Sequence, residues 1–198
     1  MHFIRTIVLY TLCLSASVVA HAQDWSLAKD KNGVKIYTAP ISGSNYKATR
    51  TEFYTNASAD RAIAVLKDVA NYQQWQYGCA ESSVLKQVTA DNFYYYVHIE
   101  VPVVADRDFV GLAHIVQQAQ GGYKFDIQVQ PDYIAAKDGL VRLRQFVGYW
   151  TVTPMPDGTT KVERYSHTSP GGSVPAWLTN SFLLDEPYNT MLNLKKRL

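Results

Sequence analysis

The chain has 198 residues, 19 basic and 17 acidic side chains, a formal charge of +2, and 47% hydrophobic residues. Near-neutral charge without a basic stripe excludes a nucleic-acid binder held by phosphate contacts and a polybasic membrane tether, while the length suits one well-cored domain. Two cysteines, one inside a leader-like segment, exclude a disulfide framework, so the fold rests on packing.

In chain order, Arg5 precedes an apolar run from Ile7 to Ala20, and Ala20-His21-Ala22 places small residues where a signal peptidase reads. The run is too short to span a bilayer comfortably. The pattern predicts a signal peptide over residues 1–22, cleavage after Ala22, and an exported domain, periplasmic or secreted, over residues 23–198. An uncleaved anchor is the alternative. Cys13 leaves with the leader. Cys79 then stands alone, either a reactive thiol or a small residue after a helix.

Val34 to Thr38 and Tyr46 to Tyr54 read as a hairpin around Ser42-Gly43-Ser44. Ser58 can cap a helix with Ile63, Leu66 and Val69 on one face, and a short turn with Tyr72 and Trp75 follows. Strands come next: Ser82 to Val88, Phe93 to Val101 ended by Pro102, Asp108 to Gln117, and Tyr123 to Gln130. A long strand from Leu140 to Thr153 turns at Asp157-Gly158 into Lys161 to Thr168. Regularly spaced turns suit an antiparallel sheet, and the flanking helices make the class α+β.

Alternation puts Phe93, Tyr95, Val97, Ile99 and Val101 on one face of their strand, and Tyr123, Phe125, Ile127 and Val129 on one face of another. Val141, Leu143 and Val147 make a third apolar row, interrupted by Gln145. The opposite faces read as solvated. Trp177, Leu184, Met191 and Leu198 recur with Tyr188 and Leu194 beside them, one stripe on a final helix that Pro187 should kink. Lys195-Lys196-Arg197 in its last turn either offsets the helix dipole or touches a membrane surface. A helix about 10 Å across cannot cover a broad sheet alone. Either side chains fill the space or a hollow remains.

Four stretches, in this order, resemble the START domain family (the steroidogenic-acute-regulatory-protein-related lipid-transfer fold) of the helix-grip, Bet v 1-like superfamily, in its bacterial exported single-domain type. They are Trp25 through Gly33 to Tyr37; Asp68, Tyr72 and Trp75 through Cys79, Glu81 and Ser82; Pro102 through Arg107-Asp108 to Val110; and Gly148 to Trp150 with Pro170 through Asn180. The resemblance covers Trp25 to Leu198. It implies a curved antiparallel sheet of about nine strands wrapped around a long C-terminal helix, with a tunnel for one lipid-like molecule between them.

The implied lining is Phe93, Tyr95, Val97 and Ile99, then Phe109, then Phe125, Ile127 and Val129, with Val141 and Leu143 from the long strand. Trp177, Leu184, Tyr188 and Met191 would face them from the helix. Pro170, Gly171, Gly172 and Pro175 form a joint before that helix, read as a moving gate or as a rigid turn. Asp106, Arg107 and Asp108 read as an ion-paired loop anchor near the tunnel entrance, and a surface pair contributes about 0–1 kcal/mol. Sterol-binding members carry a buried arginine where this chain has Ala113, which argues against sterol recognition in that manner. His98, Glu100 and Gln145 are the nearby polar candidates.

No catalytic constellation is visible. His98, His114 and His167 lie on different strands without metal-ligand spacing, and adjacent Ser166 and His167 face opposite sides of one strand. No cofactor, metal or nucleic-acid partner is expected. The reading is non-enzymatic binding, and transfer, of a lipid or other hydrophobic small molecule by a monomer that touches membranes transiently. Burying a ~16-carbon chain gains on the order of 10 kcal/mol. The alternative is a helix-grip enzyme, cyclase-like or hydrolase-like, acting on a hydrophobic or aromatic substrate in the same cavity.

Overall fold

The computed structural model describes residues 23–102, 104–169, 171 and 183–198. The hairpin β1 (Ser26–Lys31) and β2 (Val34–Ala39) leads to β3 (Ala48–Thr55), helix α1 (Ala59–Lys67) and a 3-10 turn over Val69–Gln74. Strands β4 (Cys79–Thr89), β5 (Asn92–Ile99), β6 (Arg107–Gln117) and β7 (Tyr123–Val129) follow. Then come β8 (Val141–Arg142), β9 (Gln145–Pro154), β10 (Thr160–Ser169) and helix α2 (Asp185–Arg197). The strands form one sheet in the order β1-β2-β3-β10-β9-β7-β6-β5-β4, with β8 parallel to β6 off that path. All pairs along the path are antiparallel. This is the expected α+β helix-grip architecture, a curved open sheet packed against a C-terminal helix.

Local chemistry sets the elements. Asn32 and Gly33 take consecutive left-handed conformations, φ 54° and 72°, which suit a two-residue hairpin turn and join β1 to β2. Strand β1 is almost wholly exposed, so no alternation announces it. The Ser58 hydroxyl accepts the Arg61 N–H at 3.2 Å and caps α1, whose Ala62, Ile63, Val65 and Leu66 are buried.

Two expectations about the C-terminal half are corrected. The strand expected from Leu140 to Thr153 breaks at Leu143 and Arg144. Strand β9 restarts there with its own alternation, so Gly148, Trp150 and Val152 are buried, whereas Val147, expected inward, is 57% exposed. Pro187, expected to kink the final helix, falls in the first turn of the described helix α2. It is the third residue of the helix, where no intrahelical N–H bond is required, and the first such bond runs from Tyr188 N to Leu184 O at 3.1 Å. Tyr188, Met191 and Leu194 are buried on α2, while Trp177 lies outside the described residues.

The outer face of the sheet is also not uniformly solvated, because the segment after β7 crosses it. Tyr133 stacks on Tyr94 with ring centroids 4.0 Å apart, and Lys137 Nζ lies 3.9 Å over the Tyr96 ring. Tyr96, Asp108 and Val110 are buried on that side. Strand alternation sends Tyr95 and Phe109 to the opposite face.

Candidate functional site: a cavity between sheet and C-terminal helix

A cavity of about 240 Å³ lies between the inner face of the sheet and the head of α2, and one of about 70 Å³ lies deeper, under Trp75 and Trp150. Gln76, Ile99, Leu143, Phe146 and Arg164 wall both, so the two share one partition of side chains. Tyr46 and Lys47 enter the outer cavity from the β2–β3 link, Pro102 and Val104 from the β5–β6 loop, and Leu183 and Pro187 from the head of α2. The inner walls are aromatic rings in edge-to-face contact: Trp75 with Trp150 at 6.1 Å, and Tyr95 with Phe109 at 5.7 Å. Burial pushes the Tyr72 and Tyr95 phenols upward, so both are neutral at ordinary pH.

Tyr95, Val97, Ile99, Phe109, Ile127 and Leu143, all expected in the lining, border these cavities. Phe93, Phe125 and Met191 are packed core instead, at 2%, 1% and 0% exposure. Thus β5 runs from filled core at Phe93 to cavity wall at Ile99. Tyr188 is also core, and its hydroxyl accepts a hydrogen bond from Asn32 Nδ2 at 2.9 Å. Val129, Val141 and Leu184 are half-buried and border neither cavity. In the expected gate, Gly171 has φ +66° and a Cβ there would stand 3.3 Å from Val141 Cγ1. Pro170, Gly172 and Pro175 lie outside the described residues.

The expected Asp106-Arg107-Asp108 ion pair is not formed as one unit, because alternation separates its members. Asp108 points outward and takes a two-pronged ion pair with Arg142, Nε to Oδ1 at 2.7 Å and Nη2 to Oδ2 at 2.8 Å. Those side chains are 1% and 4% exposed, so the pair is buried rather than on the surface. The hydrogen bond to Asp108 pushes the Arg142 guanidinium pKa up. Arg107 points inward, lines the outer cavity and donates to the Ala105 carbonyl, and burial lowers its pKa. Asp106 pairs with His98 Nε2 at 3.0 Å and accepts the Val101 N–H at 3.2 Å. The His98 bond holds the Asp106 carboxyl below its ordinary value. This contact ties the β5–β6 loop at the cavity rim.

Sequence reasoning missed Arg164. On β10 it follows the same alternation as buried Val162, so it faces inward. Its side chain is 14% exposed and borders both cavities. Nη1 donates to both Glu186 oxygens, at 2.8 and 3.0 Å, and Glu186 Oε1 also accepts the Thr190 hydroxyl at 3.0 Å. Thr190 in turn accepts the Tyr77 N–H at 3.1 Å. A charged network thus links the sheet to the first turn of α2. The signal was available, since Arg164 sits two residues from Val162 on a readable strand. Ala113 is fully buried and places no charge at its own position, but Arg107 at the start of the same strand and Arg164 on β10 both bring charge to the outer cavity.

The remaining reactive groups are tied locally. His114 Nδ1 lies 2.5 Å from Asn92 Oδ1, and His167 Nε2 lies 3.0 Å from the Ser44 hydroxyl, on the outer side away from Ser166. Cys79 Sγ donates to the Glu81 carbonyl at 3.5 Å, and burial pushes its thiol pKa up, the opposite of a reactive thiolate. Among the described residues, no group of three or more His, Cys, Asp or Glu could hold a metal ion. In the last turn of α2, Lys195 donates to the Asn32 carbonyl and Arg197 to Gln74, so both serve contacts within the fold.

The sequence pattern of the START domain matches residues 12–194. An uncharacterized protein of Pseudomonas aeruginosa is 37% identical over 193 residues, 97% of this chain and 95% of that protein. The crystal structure of a STAR-related lipid transfer protein fragment from Xanthomonas axonopodis superposes with a TM-score of 0.81 at 33% identity, covering 87% of this chain and 97% of that one. The human StAR-related lipid transfer protein 5 shares the fold at 18% identity, with a TM-score of 0.74 over 87% of this chain and 85% of that one. With its cavity between a curved sheet and a C-terminal helix, and a family match over nearly its whole length, the chain belongs to the START domain family.

Proposed function

We propose that this protein binds a hydrophobic small molecule of the lipid class in the cavity between sheet and α2 and carries it without chemical conversion. The observation that carries this reading is the 240 Å³ cavity itself, walled by Ile99, Leu143, Phe146, Pro102 and Val104. A domain relying on packing alone gains stability by filling such a space, so an open apolar hollow is an occupant's site. The Xanthomonas relative, described as a lipid transfer protein, supports the same assignment. The leader-like sequence over residues 1–22 supports export, and the carrier acts as a monomer that meets a membrane only to exchange its cargo.

Native mass spectrometry of the protein purified from its own host, before and after organic extraction, tests this. A bound species of lipid mass that extraction releases is the expected result. Protein that is empty on purification and takes up no fluorescent lipid overturns the reading.

A further inference from the structure

Arg164 is out of place in its surroundings. Its row across the inner face of the sheet reads Ile36, Thr51, Arg164, Trp150, Phe125 and Ile115 from β2 to β6. The other five are less than 9% exposed, and all of those five but Thr51 are apolar. The arginine spends only Nη1 on Glu186. Its Nε and Nη2 donate to nothing among the described residues. A guanidinium carries five donors on two usable edges, and the edge away from Glu186 matches a second carboxylate. Two more polar atoms nearby are buried without hydrogen-bond partners among the described residues: the hydroxyl of Thr51, paired with Arg164 in the ladder, and the indole N–H of Trp75, which lines the inner cavity.

The charges of the outer cavity are unequal. Among the described residues, Arg107, Arg164 and, at the exposed edge, Lys47 line it together with one carboxylate, that of Glu186. The edge of the Arg164 guanidinium turned from Glu186 sits among apolar walls, where an anion stabilises it. Size narrows the choice further. The two cavities together reach only the lower end of the ~300–1,000 Å³ range of small-molecule sites, too little for a lipid with two chains.

Building on the hydrophobic-carrier reading above, we infer that the cargo is a single-chain amphiphile with a carboxylate head. The head docks on the free edge of Arg164 beside Arg107. The chain lies along Ile99, Leu143 and Phe146. Glu186 keeps the guanidinium oriented from its other side and ties occupancy to the first turn of α2.

The test is a titration of the full, delipidated protein at pH 8 with dodecanoate and with dodecanol, read by the fluorescence of Trp75 and Trp150. Dodecanoate is expected to bind about tenfold tighter than dodecanol, the scale of one charge-assisted contact. Because Arg164→Met alone leaves Glu186 without its partner, the comparison is the double variant Arg164→Met, Glu186→Met, with folding verified by circular dichroism. It should lose the preference for the carboxylate while still binding dodecanol. Equal affinities in the unaltered protein, or a preference that survives in the folded double variant, overturn the inference while leaving the hydrophobic-carrier reading intact. Failure of the unaltered protein to bind either ligand, or any other fluorescent lipid, overturns both.

Discussion

Asp108 and Arg142 form a two-pronged ion pair at 2.7 and 2.8 Å with both side chains at most 4% exposed. The same guanidinium also donates to the carbonyls of Pro131, Ile134 and Ala135, at 2.5, 3.1 and 3.2 Å. One arginine therefore fastens the segment after β7 to the outer face of the sheet and satisfies a carboxylate beneath it.

Removing either partner strands the other in a dry site. Arg142→Met should cost about 3–5 kcal/mol in urea unfolding, whereas the double variant Asp108→Leu, Arg142→Met should be far milder. A single variant that loses less than about 1 kcal/mol would contradict burial of the pair.

Phe125 and Phe146 separate core from cavity. Phe125 is 1% exposed in the packed core, and Phe125→Ala should destabilise by about 3–5 kcal/mol. Phe146 borders both cavities, so Phe146→Ala removes fewer packed contacts and enlarges an existing hollow. It should cost clearly less in thermal unfolding and shift ligand preference toward bulkier molecules.

Gly111 is required by space. A Cβ there would stand 2.6 Å from Phe109 Cε1 and 2.8 Å from Tyr95 Cε1, two rings of the inner cavity wall. Gly111→Ala should cost about 1–3 kcal/mol and weaken ligand binding, because the displaced rings move into the cavity. Calorimetric titration and thermal unfolding of the same variant check both effects.

Tyr72 and Tyr95 give a pH dependence with a defined sign. Burial raises both phenols in the folded protein above the unfolded value near 10. Their contribution is therefore fully present below about pH 10 and is lost as pH rises through the folded values. Stability should fall on the alkaline side of pH 10, and Tyr95→Phe should flatten that fall. Urea midpoints measured between pH 8 and 11 will show whether the slope changes.

Gly171 bears on the proposed gate. Its φ of +66° disfavours any side chain, and Gly171→Ala adds a contact of 3.3 Å to Val141. If the joint moves during exchange, this variant should change the rate of ligand release several-fold with less effect on equilibrium affinity. Stopped-flow release of a fluorescent lipid makes the comparison, and an unchanged rate identifies the joint as a rigid turn.

The sequence by itself determined most of the strands, the capped first helix and the apolar row of β5, because these follow from local periodicity and from Ser58 before an apolar face. Exposed β1 and the break between β8 and β9 carry no such signal. Ordered motifs from Trp25 to Asn180 were enough to reach the family resemblance. Alternation also held the key to Arg107 and Asp108, since neighbours on one strand cannot share a face, yet it could not supply their partners. Arg142 lies 34 residues from Asp108 and Glu186 lies 22 from Arg164. Only tertiary structure decided which apolar residues line a hollow and which are filled core. Phe93 and Ile99 carry the same pattern on one strand, and what differs is whether packing from other elements reaches them. Periodicity fixes the direction of a side chain, whereas the empty volume in front of it depends on every element that fails to fill it.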